Sequence, residues 1–186
     1  IRFLREKKEF SAIRSETGIG KTPFFDSFHQ IELFVEQMVW VQGDTAVNMR
    51  VTGAAGANKA DFESINYYKD YRFERIAGLA ERSPLVDLKV FSQKIGSRTF
   101  FTEEYAKWKD HGFTDIKTLL ITLGSQGFLS YDLDNEQVTL KDKLFFYIGA
   151  KFSSTDYDVI RFESLVQGLN NTNGRLNLNN LDMRID

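Results

Sequence analysis

Between Ser83 and Leu140, helix starts and stops follow one another so closely that only short elements fit between them, and this punctuation constrains the fold more than any other feature. Ser83-Pro84 supplies an N-cap followed by proline at the first helical position, where the missing N–H leaves no bond unmade. Leu85, Leu88, Phe91 and Ile95 recur at helical spacing until Gly96 ends the run. Arg98-Thr99-Phe100-Phe101 reads as a short extended piece. Thr102, with Glu103 and Glu104 at the positive end of the helix dipole, opens a second helix through about Asp110, closed by His111-Gly112. Thr114 is the expected cap of a third helix, in which Ile116, Leu119, Leu120 and Leu123 form one apolar stripe. Past Gly127, the residues Phe128, Leu129, Tyr131 and Leu133 lead through Asp134-Asn135 into Val138 and Leu140, a hairpin pattern. A further helix is predicted from about Asp142 to Ala150.

The flanks alternate instead. From Ile31 to Val41 one side carries Ile31, Leu33, Val35, Val39 and Val41, which predicts one long strand. Gln42-Gly43-Asp44 then turns the chain into Val47, Met49 and Val51, so 31–51 is expected to be a β-hairpin. A loop from Gly53 to Lys59 precedes a short strand at Asp61 to Ile65. Asn66 is the expected cap of a helix bearing Tyr67, Tyr68, Tyr71 and Ile76 and stopped by Gly78. Val159 to Val166 returns to alternation, followed by an Asn-rich turn region with Asn170, Asn171 and Asn173. Leu176 and Leu178, then Leu181, Met183 and Ile185, alternate with a phase slip at Asn179-Asn180, the mark of a bulge or tight turn.

The expected fold class is therefore α+β: a β-hairpin region with a short helix over 1–80, a three-helix middle with a wing hairpin over 81–152, and a β-rich end over 153–186. The chain reads as a fragment that continues into more β-structure in a longer parent.

The order helix, short strand, helix, tight turn, helix and hairpin over residues 83–141 resembles the winged-helix family in pattern and size. That resemblance implies a third helix able to enter a DNA major groove and a wing that touches the backbone. A wider set of stretches, Phe24-Phe25-Asp26-Ser27-Phe28-His29, Asp61-Phe62-Glu63-Ser64, Lys141-Asp142-Lys143-Leu144 and Asp156-Tyr157-Asp158-Val159-Ile160, resembles a segment of long proteins of the Bacteroidetes. The likeness runs from about Thr22 to Asp186 and implies a piece of a larger bacterial protein, with β-structure around a helical insert. No activity is attached to that family.

Charge argues against duplex DNA. The whole chain has 24 Lys and Arg against 26 Asp and Glu, a net of −2, and Pro84 to Lys151 carries nine of each sign. The wing brings Asp132, Asp134 and Glu136, and the third helix offers Lys117 as its single cation, the wrong balance for phosphates. With no cysteine and two histidines, thiolate metal sites, disulfides and cysteine nucleophiles are excluded. Gly18-Ile19-Gly20-Lys21-Thr22 resembles the end of a phosphate-binding loop, but Ser15 stands where its first glycine belongs and Pro23 disfavours a helix at Thr22. Asp132-Leu133-Asp134-Asn135-Glu136 resembles the opening of a calcium loop, yet Gln137 and Lys143 replace the glycine and glutamate that such a loop needs, and Asp and Asn are ordinary turn residues. Ser125 in Leu-Gly-Ser-Gln-Gly falls one residue short of a nucleophile elbow and follows a helix pattern rather than a strand. His29 among Phe24, Phe25 and Phe28 reads as a packing histidine, and His111 suits a helix C-terminus. The apolar run around Leu119 to Leu123, interrupted by Thr122 and closed by Gly124, falls far short of the roughly 18 to 20 residues of a membrane helix.

What remains is aromatic. With 17 Phe, seven Tyr and two Trp, most rings belong to the core, and Trp40, Tyr67, Tyr68 and Tyr71 are the candidates for an exposed platform. Together with Asp132, Asp134 and Glu136 they form the expected interaction surface. The expected function is that of a non-catalytic structural or protein-interaction module without cofactor or metal, whose partners are other domains of its parent or a separate protein. A nucleic-acid-binding winged helix and a carbohydrate-binding module are the alternatives.

Overall fold

The computed structural model describes residues 1–14, 22–53, 59–78, 82–166 and 171–186. The fold is α+β and rich in strands, with three antiparallel sheets and five α-helices among the described residues. Packing divides the chain into two compact units: the described residues of Ile1–Gly18, Pro23–Glu63 and Arg161–Asp186 form one, and those of Ile19–Thr22 and Ser64–Ile160 the other. The three-part division expected at 80 and 152 is thus replaced by one unit inserted into the sequence of another. The reason is that the last strands pair with early ones rather than with each other alone.

The β unit contains two sheets. Strands β1 (Arg2–Leu4), β2 (Glu9–Ile13), β5 (Gln37–Val41), β6 (Ala46–Arg50), β12 (Gly174–Asn177) and β13 (Met183–Ile185) lie in that order in the larger sheet. The smaller has the order β11 (Arg161–Ser164), β7 (Ala60–Ser64), β4 (Ile31–Phe34) and β3 (Phe24–Asp26). Leu33, Val35, Met49, Val51, Ala60 and Phe62 are buried between them, with Met38, Leu176 and Ile185 alongside. Gly174 faces Phe62 so closely that a Cβ there would stand 3.0 Å from the ring, so any side chain at this position would have to push the ring back. Buried Asn173 closes the same end: its side-chain oxygen accepts the Val51 N–H at 2.6 Å and its amide donates to Val166 O and Ser164 Oγ.

The long strand expected over 31–41 is two strands in different sheets. At Val35-Glu36 the chain leaves β4 and enters β5, the Glu36 N–H donating to Arg50 O and its carboxylate accepting from Thr52. Leu33 and Val35, two residues apart and so on one face, both reach the shared core before the chain crosses. The hairpin survives as β5–β6, with Trp40 opposite Val47. The phase slip at Asn179-Asn180 is the turn between β12 and β13.

The helical unit holds α1 (Asp70–Ala77), α2 (Pro84–Ile95), β8 (Thr99–Phe101), α3 (Thr102–Lys109), α4 (Phe113–Ser125), β9 (Leu129–Asp132), β10 (Gln137–Leu140) and α5 (Asp142–Lys151). Its three strands lie in the order β8, β10, β9, so Val138 pairs with Tyr131 on one side and Phe100 on the other. Leu88, Phe91, Leu120, Phe128, Leu144 and Tyr147 are among the buried residues that form its core. The Ser83 cap and the Gly96 stop stand where expected, although the Ser83 hydroxyl makes no capping bond. Two starts differ. Tyr67 and Tyr68 precede α1 because their N–H groups are committed to Ser64 O and Asp158 O, so Lys69 rather than Asn66 is the cap. The third helix is capped at Gly112, not Thr114: Ile116 N already donates to Gly112 O, and Thr114 lies inside the first turn.

Candidate functional site

In the helical unit, the expected surface begins at the hairpin between β9 and β10. The Asp132 carboxylate accepts the N–H groups of Asp134 and Asn135 and, at 2.8 Å, the Asn135 side-chain amide. The Asn135 side chain first, and then these N–H groups, hold the exposed carboxyl below the usual range. Its oxygens therefore serve the turn, and no group of three or more His, Asp or Glu able to hold a metal occurs among the described residues. Glu136, in the left-handed region at φ 52°, accepts from Lys117 of α4 at 2.7 Å. The lysine is held above its ordinary pKa, chiefly by this bond. The single cation of α4 thus already has an anion against it. Thr102 ties the hairpin down, its hydroxyl donating to Glu136 O and meeting the Tyr131 hydroxyl at 2.9 Å.

The outward side of α4 bears exposed Thr114, Thr118 and Thr122. Thr118 donates to Thr114 O, Thr122 to Thr118 O and half-buried Ser125 to Thr122 O, so these hydroxyls bond within their own helix. What such a helix offers outward is methyl groups and satisfied hydroxyls, with no positive stripe.

The three tyrosines do not form a platform. Tyr67 and Tyr68 are only 5% and 6% exposed, and Tyr71, at 62%, stands alone on α1. Tyr68 packs edge-on against Tyr147 and Tyr157 and donates to Asp70. Burial, reinforced by the neighbouring Asp70 carboxylate, raises the Tyr68 phenol well above its ordinary value. The platform reading of Tyr67 and Tyr68 is corrected by this burial: the backbone bonds that keep them out of α1 also turn their rings inward.

In the β unit, Trp40 does reach a surface. It is half-buried, its indole N–H donates to Asp44 O at 2.9 Å, and its ring lies 5.5 Å from Phe10, which in turn lies 4.4 Å from Phe3. The register explains the ladder, since Phe3 is opposite Phe10 and Phe10 opposite Trp40 on adjacent strands. The interplanar angles of 29° and 28° make it a stack, in which the ring faces are turned to one another rather than laid flat for a sugar. Sequence reading identified Trp40 and missed Phe3 and Phe10, because ring partnership depends on strand register.

The remaining polar residues serve the fold. His29 Nδ1 lies 2.7 Å from the Asp26 carboxylate, and the Phe28 ring meets the imidazole edge-on. Burial pushes the Asp26 carboxyl up, but the His29 side chain and the N–H groups of His29 and Phe28 outweigh it and hold the group low. His111 sits just beyond α3, its Nδ1 2.7 Å from Lys109 O. Lys59 just before β7, Asp61 on β7, and Arg161 and Glu163 on β11 neutralise one another, with Arg161 reaching Asp61 at 2.6 Å and Glu163 at 2.8 Å. Lys143 is buried, donating to Gln126 O at 3.0 Å. The phosphate-loop-like stretch lies, apart from Thr22, outside the described residues, as do most of the loop after Gly53 and Asn170. No helix among the described residues is long and apolar enough to cross a membrane. No family model, curated protein or solved structure matches the chain.

Proposed function

We propose that the chain is a non-catalytic protein-interaction module of a larger bacterial protein, and that residues 83–141 are a winged-helix-like element used for packing on protein rather than for reading DNA. The observation that carries this reading is the electrostatic state of the wing and α4: Lys117 is paired with Glu136, while Asp132 and Asp134 stay exposed beside them. Duplex binding draws its affinity from cations that replace condensed counterions, and α4 with the β9–β10 hairpin offers only Lys117, which already faces Glu136. Uncharged, internally satisfied hydroxyls along α4 fit a protein surface, where charge is depleted at the centre. The carbohydrate alternative gains no support from rings that are buried or stacked on each other.

The test is a fluorescence-anisotropy titration of the chain against random duplex DNA at low and at physiological salt. The reading expects no saturable binding at either. Micromolar binding that collapses as salt rises would overturn it.

A further inference from the structure

The larger sheet of the β unit ends in two edges of opposite character. At β13, Arg184 pairs with Asp186 at 2.8 Å and the Asp182 carboxylate accepts from Asn180, so the charges there are met locally. At β1, which has no strand on its outer side among the described residues, Arg2, Arg5, Lys7 and Lys8 are all exposed and form no ion pair with a described residue. Four cations stand against Glu6 and Glu9 in the stretch 2–9, a positive patch on a chain whose net charge is −2. The aromatic stack ends on the same strand, with Phe3 49% and Phe10 38% exposed.

Charged residues on an edge strand are a common defence against unwanted pairing, and that accounts for the cations. It does not account for two exposed phenylalanines in a row with Trp40, since aromatic rings beside Arg are the composition of the centre of an interface. Deepening the packing function proposed above and resting on it, we infer that the β1 edge is a docking site for an extended acidic segment of a partner protein, which adds a strand to the sheet. Backbone N–H and C=O groups on the outer side of β1 bond the added strand. An aromatic side chain opposite Phe3 lengthens the stack from Trp40 through Phe10, and carboxylates alternating with it face Arg2 and, beyond the strand, Arg5, Lys7 and Lys8. A second copy of this chain is a poorer occupant, because pairing β1 with β1 would bring two positive patches together.

The test uses the whole chain and a fluorescein-labelled peptide, Glu-Val-Glu-Phe-Glu-Val-Glu, with two controls: the same peptide with Pro in place of both Val residues, and one with Lys in place of each Glu. The expected result is saturable binding of the acidic peptide, weakened about tenfold or more by either control and by Phe3→Ala, whose exposed site leaves the fold and melting point unchanged. Arg2→Glu with Arg5→Glu weakens it likewise. Absence of binding at low salt, equal binding of the proline peptide, or full binding by a folded F3A chain would each overturn the docking site. Sedimentation that shows concentration-dependent dimers abolished by F3A would overturn it in favour of a second copy. The DNA titration reads the broader function separately: a failed peptide titration with no DNA binding removes the edge proposal alone, whereas salt-sensitive DNA binding removes the packing function beneath it.

Discussion

In the helical unit, Leu88 and Phe91 on α2, Leu120 on α4 and Phe128 just after it reach their common core through short turns, whereas in the β unit Val51 meets Asn173 across 122 residues of chain. The first core is assembled by neighbours in sequence. The second exists only when β12 has come back to β6 and β11 to β7. Closing so long a loop costs entropy before any contact rewards it, so the helical unit is expected to form early and the sandwich late. An insertion that folds on its own terms also brings the ends of β7 and β11 toward each other, which shortens the effective loop of the host.

The comparison breaks most visibly if either core is emptied. Phe62→Ala in the β unit and Phe128→Ala in the helical unit should each cost about 3–5 kcal/mol, since both rings are fully buried. Hydrogen exchange should place the losses differently: F62A speeds exchange in β4, β6 and β7, and F128A in α4, β9 and α5. Uniform acceleration across both units from either variant would contradict separate cores.

Glycine substitutions sharpen the same contrast at lower amplitude. A Cβ at Gly174 meets Phe62 at 3.0 Å and Arg184 O at 3.3 Å, and a Cβ at Gly149 would overlap Thr155 Oγ1. Each Gly→Ala change should cost about 1–3 kcal/mol by overpacking, measured by urea unfolding. In G174A the loss should be recovered by shortening the opposing ring with Phe62→Leu, and in G149A by Thr155→Ala, which removes the overlapping hydroxyl.

The Asp26–His29 turn gives a pH-dependent effect confined to the β unit. The Asp26 carboxyl has a folded pKa below its ordinary 3.8, so its stabilisation is present above that value and is lost as pH falls through the lower folded value. Asp26→Asn should therefore flatten this part of the acid limb while leaving stability at neutral pH lower than in the parent chain. An unchanged acid limb would show that the pair contributes nothing.

The smallest change is expected at the β9–β10 hairpin. Lys117 and Glu136 are both partly exposed and screened by water, so Lys117→Met should leave stability nearly unchanged. Melting temperature checks this, and a large loss would mean that the pair holds the hairpin in place.

Local punctuation made the helical unit legible. Ser83-Pro84, Gly96, Thr102 and the stripe Ile116, Leu119, Leu120 and Leu123 each act within a turn or two of chain, and the helices stand close to the expected places. Tyr67 and Tyr68 were misplaced because a distant residue, Asp158, takes their backbone bonds, and no local signal announces that partner. In the β unit, alternation marked most strands but not the switch of sheets at Val35-Glu36, since alternation shows which side chains share a face and is silent on which strand lies beside it. For the surface, Trp40 was visible as a rare ring on a strand, while Phe3 and Phe10 became its partners only through register. The exposed acids of the wing were legible from composition, and the pairing of Lys117 with Glu136 was not.

The most direct test of the two-unit account is the amide NMR spectrum of residues 64–160 expressed alone. Because the buried cluster of Leu88, Phe91, Leu120, Phe128, Leu144 and Tyr147 lies wholly within this stretch, the account predicts dispersed resonances and a cooperative melt. A collapsed spectrum without a melting transition would contradict it.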